Sequence, residues 1–424
     1  MISFLKRQFR TVLFRNTLIY GFGALFLKGI SFFLIPLYTR LLRPEDYGHL
    51  ELLNTFTSIL EIVCSLGLFN FLYMDFFHQK DSQSRVRLMN SVLSIYLSIS
   101  GILYLLTLII LWFNHEFFLG SISIVLVYFS IFTSYLNFFQ GIYILVLKLS
   151  EKVKRVTILQ IVLGVLSMSL NILFVYYLRT GIAGIIWANL ICTVISLIII
   201  SSSIRNQFRD FVFSISISQV KNILRLSLPF IPGALSYWLL NSANRWILLH
   251  YGTLAEVGLY SLAIKFTSIF DPLIIQPFLN ANNPRTLKQF SEGNYSQKLT
   301  YLYPGVIVFF GIMSFVVLTL AKYMIDPSFS GSLPLIPIMV TGTSLSVLAQ
   351  ITALLLLFRK KVGQTFTSIV AGSIVSISAS FLLVPHFGSI GAAYGTIIGN
   401  FVWFAFILIF YLRERNRMKL PLQN

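Results

Sequence analysis

Nine side chains stand out because each puts a charge, an amide or an indole inside an otherwise apolar run: Lys28, Glu51, Glu61, Trp238, Asn241, Asn244, Arg245, Lys265 and Asp271. An ionisable group at membrane depth is costly and persists by facing a wet cavity or a partner. Lys28 sits in the middle of the run Thr17–Thr39, too deep to lift its ammonium easily to an interface. It is expected to line a cavity, or else to pair structurally, with Glu61 at similar depth on the next run as the natural partner. Glu61 and Asp271 lie at matched depths of two different runs. A carboxylate in an apolar setting can exchange its charge for a proton, so both are candidates for carrying coupling H⁺ or Na⁺. Glu51 joins them as a third acidic candidate near one mouth, on the same helix face as Asn54. The alternative is that these carboxylates merely satisfy helix contacts. Arg245 and Lys265 offer a guanidinium and an ammonium to an oxyanion, although Arg245 also has the option of extending to headgroups. Asn241 and Asn244 share one helical turn, and Trp238 adds an aromatic face.

These residues must be held by membrane helices. Hydrophobic residues make up 56% of the chain and charged residues 11%, against about 25% charged in soluble domains. Twelve runs approach or exceed the ~20 apolar residues that cross a bilayer as a helix. They are Thr17–Thr39, Tyr47–Leu72, Leu88–Trp112, Phe118–Leu147, Val156–Leu178, Ile182–Ile204, Ser227–His250, Val257–Asn280, Tyr301–Ala321, Leu333–Phe358, Val362–Pro385 and Ile390–Leu412. None shows the short alternating pattern of a membrane β-barrel. Lys and Arg alternate between the two sides: 25 fall on the side of both termini, 4 on the other and 3 within the runs. Positive residues stay cytoplasmic during insertion, so both termini are expected inside, in a bacterial inner (plasma) membrane. The net charge of +18 is spread over short juxtamembrane segments. That spread favours topology and contact with anionic lipid over nucleic acid as its explanation. The two cysteines, Cys64 and Cys192, lie inside runs, His residues show no metal-ligand spacing, and phosphate-loop and serine-nucleophile motifs are missing. No cofactor is expected beyond a coupling ion, and an enzyme is disfavoured.

The sequence also repeats. Tyr47-Gly48 with Phe56–Glu61 matches Val257-Gly258 with Phe266–Asp271, 210 residues on, and Gly181–Gly184 matches Gly388–Gly391 at 207. Six runs per repeat give both halves the same orientation, a parallel duplication found in transporters. The expected domains are 1–204, a cytoplasmic linker 205–226, and 227–424. Proline placement agrees with moving parts, above all at Pro272 and Pro277 beside Asp271.

The run Leu34-Ile-Pro-Leu-Tyr-Thr-Arg-Leu-Leu-Arg-Pro-Glu-Asp-Tyr-Gly48 resembles the segment after the first helix of polysaccharide exporters and O-antigen flippases of the Wzx type. Ser227-Leu-Pro-Phe230, Asn244-Arg-Trp-Ile247 and Val257-Gly-Leu-Tyr260 resemble that family's seventh and eighth helices, and Gly388-Ser-Ile-Gly-Ala-Ala393 its last loop and helix. The resemblance implies an all-α protein of twelve transmembrane helices, two parallel six-helix repeats forming a MATE-like V around a central cavity. It implies a substrate too, a polyprenyl-pyrophosphate-linked oligosaccharide of O-antigen, capsule or another surface polymer, flipped outward. A polysaccharide polymerase and a chain-length regulator are implied as partners beside membrane lipid. On that reading Lys28, Arg245 and Lys265 would attract the pyrophosphate or an acidic sugar, Asn241 and Asn244 would bond hydroxyls, and Trp238 would stack on a ring. The family often has Asp where this chain has Asn244, so a carboxylate role is not expected there. The alternatives are a MATE-like multidrug or cation exporter, against which the three cations count, and a membrane-bound polymerase or transferase.

Overall fold

A computed structural model describes residues 23, 26, 29–30, 32–79, 81–119, 122–150, 152–204, 213, 216–271, 275–291 and 299–419. These residues are mostly helical, with no strand among them. In chain order the helices are α1 (Ile35–Leu41), α2 (Pro44–Cys64), α3 (Leu68–Asp75), α4 (Ser82–Ile95), α5 (Gly101–Leu119), α6 (Ile124–Leu149), α7 (Val153–Asn171), α8 (Gly181–Ile204), α9 (Ile217–Ser227), α10 (Ile231–Ser242), α11 (Asn244–Tyr251), α12 (Leu254–Ser268), α13 (Gln276–Ser291), α14 (Leu299–Met324), α15 (Leu335–Phe358) and α16 (Val362–Lys419). Helices are the form in which such a run can satisfy every backbone donor and acceptor away from water.

Among the described residues eight helices are long and apolar enough to cross a membrane, and α2 with α3 makes a ninth, bent by 49°. Their side chains explain why a bilayer must surround them: Trp112, Ile198, Phe315 and Leu382 are exposed on span-length helices. The protein is therefore a multi-pass membrane protein. The continuous runs read from the sequence are broken where local chemistry requires it. α4 and α5 are joined by a π-turn at Tyr96–Ser100, and α7 ends in another at Ile172–Tyr177. The run Ser227–His250 divides at Ala243 into α10 and α11. The last two runs fall in the single element α16, which breaks at Gly388 (φ 54°) just after Pro385, where a left-handed conformation favours glycine. The basic segments expected as loop and tail are helical as far as Ser291 and Lys419.

The chain forms two compact units. One comprises the chain up to Leu37 together with Leu52–Leu235, and the other comprises Tyr38–Glu51 with Ser236–Asn424. The first is packed around Leu147, Val156, Leu159, Leu163 and Ile200 from α6, α7 and α8. The second is built around α15, whose Ala349 and Leu356 meet Leu240, Trp403 and Ile407.

The short segment Tyr38–Glu51 joins the second unit through a crossing of α2 with α12. A Cβ on Gly48 would collide with the carbonyl oxygen of Leu254, and a Cβ on Gly258 with that of Pro44. Each hypothetical Cβ would also sit beside the opposite glycine's amide, at 3.3 and 3.1 Å. Glycine permits this close approach of two backbones. Gly48 and Gly258, like Pro44 and Leu254, are repeat equivalents 210 residues apart, so the contact is two-fold symmetric down to individual atoms. The helix starts match as well. Asp46 Oδ2 accepts from the Arg43 amide at 3.1 Å, and Glu256 Oε2 accepts from the Thr253 amide at 3.1 Å. A carboxylate three residues in satisfies an orphan donor and complements the positive end of the helix.

Candidate functional site

One helical turn beyond the glycine crossing, α2 presents Glu51 and α12 presents Ser261, again repeat equivalents. Both reach Arg245, from the first turn of α11. Arg245 Nε donates to Ser261 Oγ at 2.8 Å, its Nη2 lies 3.9 Å from Glu51 Oε2, and its Nη1 donates to the Asn241 carbonyl at 3.5 Å. Lys265, one turn after Ser261, places its Nζ 3.8 Å from the other oxygen, Glu51 Oε1. The same ammonium lies over the rings of Tyr38 and Tyr47, 5.9 and 5.6 Å from their centroids, where the negative ring faces attract it. The Arg245 and Glu51 side chains are 8% and 12% exposed, and Lys265 is more open at 29%. Tyr47 is buried, held edge-on by Phe329 at 5.9 Å, and its hydroxyl has no hydrogen-bond partner among the described residues.

Two cations thus share one carboxylate in a largely buried setting. Both ion contacts are long for charge-assisted hydrogen bonds, which run ~2.7–2.9 Å. Burying charge without full compensation is costly, so an anion that satisfied both cations at shorter range would be favoured here. Arg245 is directed into this cluster and is not extended toward headgroups.

The remaining candidates fall elsewhere. Asn244 is completely buried and ties α11 to α12 and α16: its Nδ2 donates to Thr396 Oγ1 at 2.7 Å, to the Ala392 carbonyl at 3.4 Å and to the Tyr260 hydroxyl at 3.5 Å. Tyr260 and Thr396 are 2.9 Å apart and complete the knot. Asn241 returns its Nδ2 to the Tyr237 carbonyl at 2.8 Å. Trp238 is buried, while its neighbour Tyr237 is exposed and meets Trp403 edge-on at 6.5 Å. Glu61, half-buried in the first unit, accepts from Asn137 Nδ2 at 3.4 Å, and Asn137 Oδ1 accepts from Thr193 at 3.2 Å. Asp271 follows the end of α12, is exposed, and accepts from Gln276 at 3.1 Å. The two carboxylates match in sequence but not in surroundings. Lys28 and Pro272 lie outside the described residues. Among the described residues no three His, Cys, Asp or Glu side chains are grouped to hold a metal.

Sequence reasoning missed Ser261, Tyr260, Thr396, Tyr38 and the ring of Tyr47. Ser261 was within reach, because it is Glu51 shifted by the repeat offset.

Residues 13–290 match the family model described as polysaccharide biosynthesis protein. The chain belongs to that family. Its fold is that of solved transporters. The inward-facing conformation of a multidrug resistance MATE family transporter of the MOP superfamily is similar at a TM-score of 0.70, with 17% identity over 92% of this chain and 94% of that one. The outward-facing conformation of such a transporter matches at 0.62, with 16% identity over 97% and 98%. A variant of the Vibrio cholerae MATE transporter VcmN matches at 0.60, with 16% identity over 98% of each. At these identities the likeness is one of fold. A search of curated proteins gives no match. This member of the polysaccharide biosynthesis family thus has an all-α fold of the MATE type.

Proposed function

We propose that this protein is a flippase that carries a polyprenyl-pyrophosphate-linked oligosaccharide from the cytoplasmic to the outer leaflet of a bacterial inner membrane by alternating access. The observation that supports this reading best is the triad Arg245–Glu51–Lys265, in which one buried and one partly buried cation share one carboxylate. A pyrophosphate has the charge and the oxygen spacing to displace Glu51 and engage both cations. Glu51 then serves as the resting counter-ion that is exchanged for substrate and restored on release. A cationic drug, the cargo of the alternative exporter reading, would be repelled by the same pair. The family's association with polysaccharide biosynthesis favours the same cargo.

Glu61 and Asp271 are the proposed coupling groups, with H⁺ or Na⁺ as the ion. Glu61 has the setting for it, a half-buried carboxylate hydrogen-bonded by an amide. A polymerase and a chain-length regulator acting on the outer face are the proposed partners, and the glycan is of the O-antigen, capsule or similar class.

The test is binding of a short-chain prenyl-pyrophosphate disaccharide to the detergent-purified protein, against the corresponding monophosphate. The reading expects preference for the pyrophosphate and at least a tenfold loss in Arg245→Ala and in Lys265→Ala. Equal affinity for both ligands, or unchanged affinity in both variants, would remove the triad from recognition.

A further inference from the structure

We propose that the first unit carries a separate carbohydrate-binding pocket, formed by α3 and the turn that follows it, the first half of α4, and the linker helix α9. It lies on the side that the charge pattern assigns to the cytoplasm and would receive the outer sugars of the glycan before translocation. The inference rests on the flippase reading and names a second subsite for its cargo.

The pocket has a volume of about 400 Å³, within the range of small-ligand sites. Asp75 lines it from the end of α3, Gln79 from the turn that follows, Arg87 from α4, and Gln219 and Asn222 from α9, together with Phe71. Beside the Ser84 and Ser91 hydroxyls, its polar groups are planar carboxylate, amide and guanidinium groups. Each presents two neighbouring atoms to a ligand, the geometry that meets vicinal hydroxyls. The charges within it are balanced, Asp75 against Arg87, so neither an isolated anion nor an isolated cation is favoured. A neutral ligand rich in both donors and acceptors fits. Part of this capacity is already used: Gln79 Nε2 donates to Asp75 at 2.9 Å, and Arg87 to Ser84 Oγ at 3.1 Å. Among the described residues the side chains of Gln219 and Asn222 have no hydrogen-bond partner, and both are exposed.

The pocket walls are fixed by the backbone. Leu66 and Gly67 both adopt positive φ, 52° and 69°, and turn α3 away from α2 by 49°. A non-glycine residue in that region is strained and persists only where the surrounding structure holds it. The linker helix packs directly on this turn: a Cβ at Gly67 would collide with the carbonyl of Ser227, the last residue of α9. One sharp turn therefore bends the span and seats the helix that supplies Gln219 and Asn222. The linker between the repeats is a wall of a site as well as a tether.

The test uses the full-length protein in nanodiscs and an array of fluorescent bacterial surface oligosaccharides that lack both prenyl and phosphate groups. The expected result is retention on a subset of glycans, with at least a tenfold loss in Arg87→Leu and in Asn222→Leu. Gly67→Ala should also lose binding, although its side chain is outside the lining. Should the variants fold poorly, wild-type amide exchange decides: a retained glycan should slow exchange in residues 84–91 and 219–223. Failure to retain any glycan at millimolar concentration, or retention with no effect of the lining variants and no protection, would overturn the pocket. Prenyl-linked transfer in vesicles without glycan retention would remove the pocket and leave the flippase reading intact. Glycan retention without transfer would do the reverse.

Discussion

Replacing either glycine of the α2–α12 crossing by alanine should open the crossing, and the two replacements should not add. The new methyl of Gly48→Ala would meet the Leu254 carbonyl, and that of Gly258→Ala the Pro44 carbonyl. Non-bonded heavy atoms settle at ~3.5–4.0 Å, so either change must push the helices apart by on the order of 1 Å. Overpacking of this kind costs about 1–3 kcal/mol. Because the contact is two-fold, each variant should lose a similar amount. A single separation relieves both collisions, so the double variant should cost about the same as either one. That leaves a coupling of roughly 1–3 kcal/mol between the positions, inside the range for residues in direct contact. Equilibrium unfolding by steric trapping in bicelles would read all three variants. Additive costs would refute the shared crossing, and a cost confined to one glycine would refute its symmetry.

Further outcomes follow from the same geometry. Glu51→Gln should free Arg245 and Lys265 for added anion, tightening binding of inorganic pyrophosphate by calorimetry. It should also destabilise the protein by about 3 kcal/mol, since the buried Arg245 and the partly buried Lys265 lose their counter-charge; unchanged pyrophosphate affinity would contradict the exchange. Thr396→Val should cost about 1–3 kcal/mol by leaving the buried Asn244 amide short of its best acceptor; a neutral result in thermal unfolding would remove the knot from the stability of the second unit. Asp326, between α14 and α15, has its carboxyl held below the usual range by hydrogen bonds from the Ser328 amide and hydroxyl, helped by Arg40. A depressed folded pKa means that its contribution is present above the unfolded value of ~3.9 and is lost as pH falls through the folded one. Amide exchange at 328–332 should therefore quicken only below about pH 4, and Asp326→Asn should abolish that step.

Much of the fold could be read from the chain because membrane helices announce themselves by length and apolarity. The repeat was legible for a different reason: close backbone contact admits only glycine, so Gly48 and Gly258 kept their identity in both halves. The breaks were harder. Nothing in the run Ser227–His250 marks Ala243, and the positive φ at Leu66 breaks the usual preference for glycine there. Individual charges were visible as exceptions in apolar runs, but their partners were not. Glu51 looked like a coupling carboxylate and lies between two cations, while Asn244 looked like a sugar ligand and is sealed within a buried knot. Pairing depends on which faces of α2, α11 and α12 meet, and that is set by the crossing, not by any one run. Ser261 is a plain serine in sequence and becomes informative only through its repeat partner.

The measurement closest to the proposed function is transfer of polyprenyl-pyrophosphate oligosaccharide across vesicles reconstituted with the purified protein, followed by access of an external glycosidase to the glycan. Transfer should depend on the protein and fall at least tenfold in Lys265→Ala that is folded and inserted to the wild-type level. No transfer under proton or sodium gradients, or equal transfer by wild type and Lys265→Ala, would contradict a pyrophosphate route through the Arg245–Glu51–Lys265 cluster.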